Sequence, residues 1–207
     1  VYNKGQYPNQ QMQKIIYTLS GNATIGNLSV EAGAIWNKRF YSNDRGAGYG
    51  GGGYIYNLIV WTGADYDIRD YRNYWVQGKE HEQQNWRYTA FYDNPYMLAY
   101  ECTRQNDYDK LNTYVYAKYD FFPWLNLSTR TGVDFYADRY ESKNPIGTYN
   151  VGDKNGAYSV SKNTGFSLNS DVILAANHKF GDFTVDGILG ASTYYYFDDG
   201  VNASTSN

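Results

Sequence analysis

Cysteine is nearly missing from this 207-residue chain. Cys102 stands alone, so neither an internal disulfide nor a cysteine metal cluster can form, and we read it as an isolated structural thiol. His81 and His178 lie far apart in sequence without clustered partners, which argues against a zinc site. No apolar run approaches the ~18 residues of a membrane helix, the longest clean one covering 172–176. A mean hydropathy of −0.68 excludes a helical membrane protein, but not strands that hide an apolar face in every second residue. A basic excess is absent too: with a net charge of −3, nucleic acid is not an expected partner. Catalytic constellations are lacking, so we expect neither an enzyme nor a cofactor. Gly46-Ala47-Gly48-Tyr49-Gly50-Gly51 fits a phosphate-loop pattern, but Gly52-Gly53-Tyr54 follows in place of a helix and a flexible loop is the better reading. Asp65, Asp67 and Asp70 lack the spacing of a calcium loop and read as solvated.

What the chain has is aromatic residues and glycine: 25 Tyr, 9 Phe, 5 Trp and 21 Gly, a composition of β-structure with polar loops. The hairpin over 111–137 organises the rest. In its second limb Leu125, Leu127, Thr129, Thr131, Val133, Phe135 and Ala137 share one parity. Asn126, Ser128, Arg130, Gly132, Asp134 and Tyr136 share the other. Phe122-Pro123-Trp124 separates the limbs. A second hairpin runs through 15–36 around Gly26-Asn27, and a third through 166–195 with its connection at 177–182.

Across these six strands the apolar parity carries no charge, although 19% of the chain is charged. Glu31, Lys118, Asp120, Arg130, Asp134, Asp171 and Asp186 all fall on the opposite parity. A soluble β-sandwich would also keep one face uncharged, but its strands usually run to about 5–6 residues. These strands reach the ~9–11 needed to cross a bilayer. The expected fold is therefore all-β: an antiparallel transmembrane β-barrel segment of about six long strands, with short periplasmic turns, a long extracellular loop over 42–110 and a second over 140–165. We expect a closing polar tail over 198–207.

Several stretches resemble SusC-like TonB-dependent outer-membrane transporters. They are Asn94-Pro95-Tyr96-Met97-Leu98-Ala99-Tyr100-Glu101, Tyr119-Asp120-Phe121, Trp124-Leu125 and Arg130-Thr131-Gly132-Val133-Asp134. Tyr66-Asp67-Ile68-Arg69-Asp70-Tyr71 with Tyr74-Trp75 looks like the extracellular segment that precedes them. The motifs are short, and their order and spacing carry the likeness. The resemblance implies residence in the outer membrane, contact with its lipid, and a mid-barrel fragment of a larger protein. The plug, the TonB-contacting segment and the remaining strands are then expected outside these 207 residues. It also implies TonB-dependent import of a large polar solute, an oligosaccharide or peptide, beneath a SusD-like lipoprotein lid. The competing reading is a non-transporting surface barrel for binding or adhesion.

On either reading Arg130, Asp134, Lys118, Asp171 and Asp186 are expected to face the lumen. Contact with solute or partner is expected from the aromatic loop, with Trp61, Trp75 and Trp86 foremost and Tyr66 and Tyr74 beside them. So long a loop must also bury part of its own surface to stay ordered, which makes internal packing the competing role for any one ring.

Overall fold

A computed structural model describes residues 1–45, 52–60, 63–65, 67–88, 91–150 and 154–205. Seven antiparallel strands form one sheet in chain order: β1 (Tyr2–Lys4), β2 (Gln11–Ile25), β3 (Leu28–Tyr41), β4 (Arg104–Phe122), β5 (Leu125–Asn144), β6 (Ala157–Phe180) and β7 (Phe183–Ser204). The fold is thus all-β and antiparallel, a pure meander with β1 and β7 as its two edges. The topology gathers the three tight turns, at Gly26-Asn27, Pro123-Trp124 and Gly181-Asp182, at one end of the sheet. Gly26 and Gly181 have φ of +59° and +60°, which a glycine adopts without a Cβ penalty. The long connections β3–β4 and β5–β6 lie together at the other end.

Register decides which side chains share a surface, because a slip of one residue would reverse every face. Here Leu19 opposes Ala34, Ala34 opposes Thr113, Thr113 opposes Val133, Val133 opposes Leu168, and Leu168 opposes Tyr195. The uncharged parities of all six long strands therefore merge into one continuous face. Its side chains do not form a core: Leu19 is 76% exposed and Leu189 73%. Aromatic rings line this face at both ends. Tyr17 stacks on Trp36 at 5.7 Å, and Phe166 packs against Tyr195 and Phe197, toward the long loops. Phe122, Trp124, His178 and Phe180 cluster beside the turns.

Toward the long loops charge returns abruptly. On the same face Lys38, Asp109 and Asp199 lie along one row of the ladder, and Asp107, Arg139 and Lys162 along the next. Lys38 bridges Asp107 at 3.4 Å and Asp109 at 3.0 Å. Five neighbouring strands thus switch from uncharged to charged within one pleat repeat. Strand propensity alone would not align so sharp a border.

The strands run well past that border, and this differs from the expected boundaries. β4 begins at Arg104 rather than near 111, β5 continues to Asn144, and β6 starts at Ala157, so the two long loops are shorter than expected. Residues 198–204 belong to β7 instead of a polar tail, and the third hairpin's connection tightens from 177–182 to Gly181-Asp182. β1, of 3 residues, is a seventh strand.

The buried hydrophobic residues among those described all belong to the β3–β4 connection and its junction with β4. This segment folds as a cap with two short helices, α1 (Tyr54–Val60) and α2 (Pro95–Tyr100), and a 3-10 turn over Ile68–Tyr71. Met97, Leu98 and Cys102 form its centre, with Tyr74 and Trp75 packed against them. No described helix is long and apolar enough to cross a membrane, which says nothing of crossing by strands.

Candidate functional site

Two regions hold the residues with chemistry to offer: the charged face of the sheet and the cap. Lys118, Arg130, Asp134, Asp171 and Asp186 all fall on the polar parity, and the register brings them onto one surface. Each is held by a neighbour. Lys118 bridges Asp120 at 2.8 Å, Asp134 accepts from Asn112, Asp186 accepts from Asn177, and Asp171 accepts from Ser192 Oγ at 2.6 Å. Arg130 lies over the Tyr114 ring, its guanidinium carbon 5.6 Å from the centroid, and the Tyr114 hydroxyl donates to Glu31 at 2.6 Å.

Glycines make room for these rings. Tyr114 lies so close above Gly33 that a Cβ there would come within 2.5 Å of the ring, and Tyr136 covers Gly165 in the same way. A large ring folded over a strand glycine recovers packing that the missing side chain forfeits. Further toward the loops Arg39 sits between Tyr41 and Tyr108, at 5.3 and 5.0 Å, and Tyr108 stacks on Tyr136 at 6.5 Å. Tyr136 donates to Asp198 at 2.5 Å. This ladder of rings and cations crosses from β3 to β7. Sequence reasoning missed it, although Tyr108, Tyr114, Tyr116 and Tyr136 recur on the polar parity and were a usable signal.

The cap is ordered by buried amides as well as by apolar packing. Asn94 opens α2: its Oδ1 accepts from Tyr96 N at 2.8 Å, and its Nδ2 donates to the carbonyls of Tyr71 and Asn85. Gln84 lies across from it, its Oε1 accepting from Asn94 N at 2.7 Å and its Nε2 donating to Asp93 Oδ1 at 2.7 Å and to Gly147 O at 2.8 Å. Asp93 also accepts from Tyr149 N and Asn150 N, at 2.6 and 3.0 Å. The first long connection is thereby tied to the second. Arg45 fastens the base, donating to Cys102 O and to Asn144 Oδ1, each at 2.6 Å, and burial pulls its guanidinium below the usual value.

The expected contact residues fare differently. Trp86 is only 5% exposed and meets Tyr71 edge-on at 5.0 Å, so its ring packs the cap. Trp75 is half-buried, its indole N–H donating to Glu101 at 2.9 Å and its ring 5.0 Å from that of His81. Tyr74 lies beside them, its phenol pushed up to about 12 by desolvation and by its hydrogen bond to Glu101. Trp61, Tyr66 and the run Gly46–Gly51 lie outside the described residues. Asp67, read as a solvated loop carboxylate, caps the 3-10 turn through Arg69 N, and its hydrogen bonds to the Arg69 side chain hold it down to about 2. Among the described residues no group of three His, Cys, Asp or Glu side chains is placed to hold a metal ion.

Burial of Cys102 gives a direct reading of cap integrity. It is fully buried, and desolvation pushes its thiol up to about 12. Because the folded value lies above the unfolded one, the neutral thiol's contribution is complete below about 8.5 and falls away as pH rises toward the folded value. We expect a maleimide to leave Cys102 unmodified at pH 8 in the native protein and to modify it fully in urea, as followed by mass spectrometry. Rapid native labelling would mean that the cap is open. Searches against protein-family models and against curated proteins return no match for this chain.

Proposed function

We propose that this chain forms part of the wall of an outer-membrane barrel that imports a large polar nutrient, an oligosaccharide or peptide. TonB would drive the import, and a SusD-like lipoprotein would close the outer side. One observation carries the reading: a continuous uncharged face that stays exposed, is rimmed by aromatic rings at both ends, and stops at a charge border common to five strands. From that border to the turns the strands carry between 10 residues (28–37 in β3) and 16 (183–198 in β7); at ~3.3 Å each and a tilt of about 40°, even the shortest rises roughly 25 Å, enough to cover the apolar band of a barrel in a bilayer. A water-soluble sheet with so much apolar surface would need a second layer over it.

On this reading the tight turns face the periplasm, the cap faces outward, and the ringed and charged face lines the lumen. A non-transporting surface barrel is the second reading, favoured by the cap's cross-ties to the neighbouring loop, which suit a rigid binding platform. Solute uptake by cells carrying the full-length protein, with and without TonB, separates the two. We expect uptake to fall to background without TonB while surface binding persists. Binding with no TonB-dependent uptake in either strain would favour adhesion.

A further inference from the structure

Midway along the polar face, where β4, β5 and β6 meet, the surface sinks into a groove of about 330 Å³. Its floor is Gly132, where an added Cβ would meet only Thr113 O, at 3.6 Å, so the space above is open for want of a side chain. The register sets Tyr114 and Asn169 on either side of Gly132, and β5 itself places Arg130 and Asp134 two residues away in each direction. Asp171 stands opposite Arg130. The Arg130 cation rests on an aromatic ring, which leaves its N–H fork able to donate to a ligand.

We propose that this groove is a solute subsite that takes a neutral, polyhydroxylated unit such as a sugar ring and turns anionic solutes away. The proposal rests on the import reading and adds a charge class to the solute. A sugar ring presents hydroxyls that both donate and accept. Asp134 and Asp171 accept from them, and Arg130 and the Asn169 amide donate to them. Pockets for small ligands begin near 300 Å³, so the groove has room for one unit of a longer chain. An anionic unit meets a different field. Asp134 and Asp171 flank the groove against the one Arg130 guanidinium, and in the next ring Glu31 beyond Tyr114 is matched by Lys110 one pleat from Asn112, which leaves the carboxylates in excess. A carboxylate or sulfate placed there gains one cation and faces two anions, and the partly enclosed setting screens that repulsion less than open water does.

The test uses the full-length protein in detergent micelles and isothermal calorimetry. Three neutral hexasaccharides (laminarihexaose, xylohexaose and mannohexaose) are compared with hexagalacturonate, which carries one carboxylate per ring. We expect at least one neutral chain to bind and the uronate to bind tenfold or more weakly. The double substitution Asp134→Asn with Asp171→Asn should narrow that ratio at least threefold. Gly132→Val should abolish neutral binding by filling the floor, without backbone strain. Uronate bound as tightly as the neutral chains would overturn the proposal, as would an unchanged ratio in the double variant or no binding of any neutral chain. Heat-modifiable migration of the same samples reports barrel assembly. Failure there in the wild type overturns the membrane reading, whereas an assembled protein that binds uronate tightly overturns only the groove assignment.

Discussion

Val172→Arg is expected to lower folding into lipid vesicles sharply, with a loss of about 2–4 kcal/mol. Val172 lies between Thr129 and Ala191 near the middle of the uncharged face and is 43% exposed, so an arginine there would not collide with a protein core. On the proposed membrane reading its cost would come from the surroundings: a guanidinium at mid-bilayer would have no water and no carboxylate within reach along that face. Ser167→Arg makes the control. Ser167 sits on the opposite parity, directly across from Asp134, where an arginine gains a cross-strand partner and we expect a change within about 1 kcal/mol. Urea midpoints of vesicle-inserted protein, read by tryptophan fluorescence and heat-modifiable migration, measure both. Equal effects at the two sites would remove the ground for calling one face lipid-exposed and the other luminal.

The parity of all six long strands was legible because alternation with period two survives wherever the two faces meet different surroundings. It faded where those surroundings became alike. In 104–110, 138–144, 157–165 and 198–204 both faces carry polar or charged side chains, yet the backbone ladder continues unbroken through Asp107↔Arg139 and Arg139↔Lys162. Hydropathy reports the environment of a strand, and these segments remain strands after that environment changes. β1 was too short to show any period. Within the cap, the helix start at Asn94-Pro95 did carry a recognisable signature, an asparagine cap followed by proline in the first turn. The partners of Gln84 and Asp93 did not, because a hydrogen bond spanning 56 or 63 residues leaves no local pattern. The tryptophans show the same limit: Trp75 and Trp86 are alike in an aromatic, polar context, and only packing separates the half-buried one from the buried one.

Asp93→Ala is expected to release the cap while leaving the sheet in place. Asp93 is fully buried, and its two carboxylate oxygens take donors from Gln84 Nε2, Tyr149 N and Asn150 N. Alanine would leave all three donors without that acceptor in a segment closed to water, at about 1–3 kcal/mol for each one left unsatisfied. The cap's central cluster is three buried side chains with Tyr74 and Trp75 against them, and Trp86 and Tyr96 are buried elsewhere in the cap, but none of these can supply the missing acceptor. We expect residues 67–88, 91–101 and 144–150 to lose amide-exchange protection together, because Asp93 joins the two connections. The ladder from β2 to β7 should keep its protection. Cys102 should become reactive toward maleimide at pH 8 in the variant, at a rate at least tenfold above wild type. Asp93→Asn retains one acceptor oxygen and should fall between the two. If both connections stayed protected in Asp93→Ala, the buried carboxylate would not be what holds them together, and the apolar contacts of Met97 and Leu98 would have to suffice.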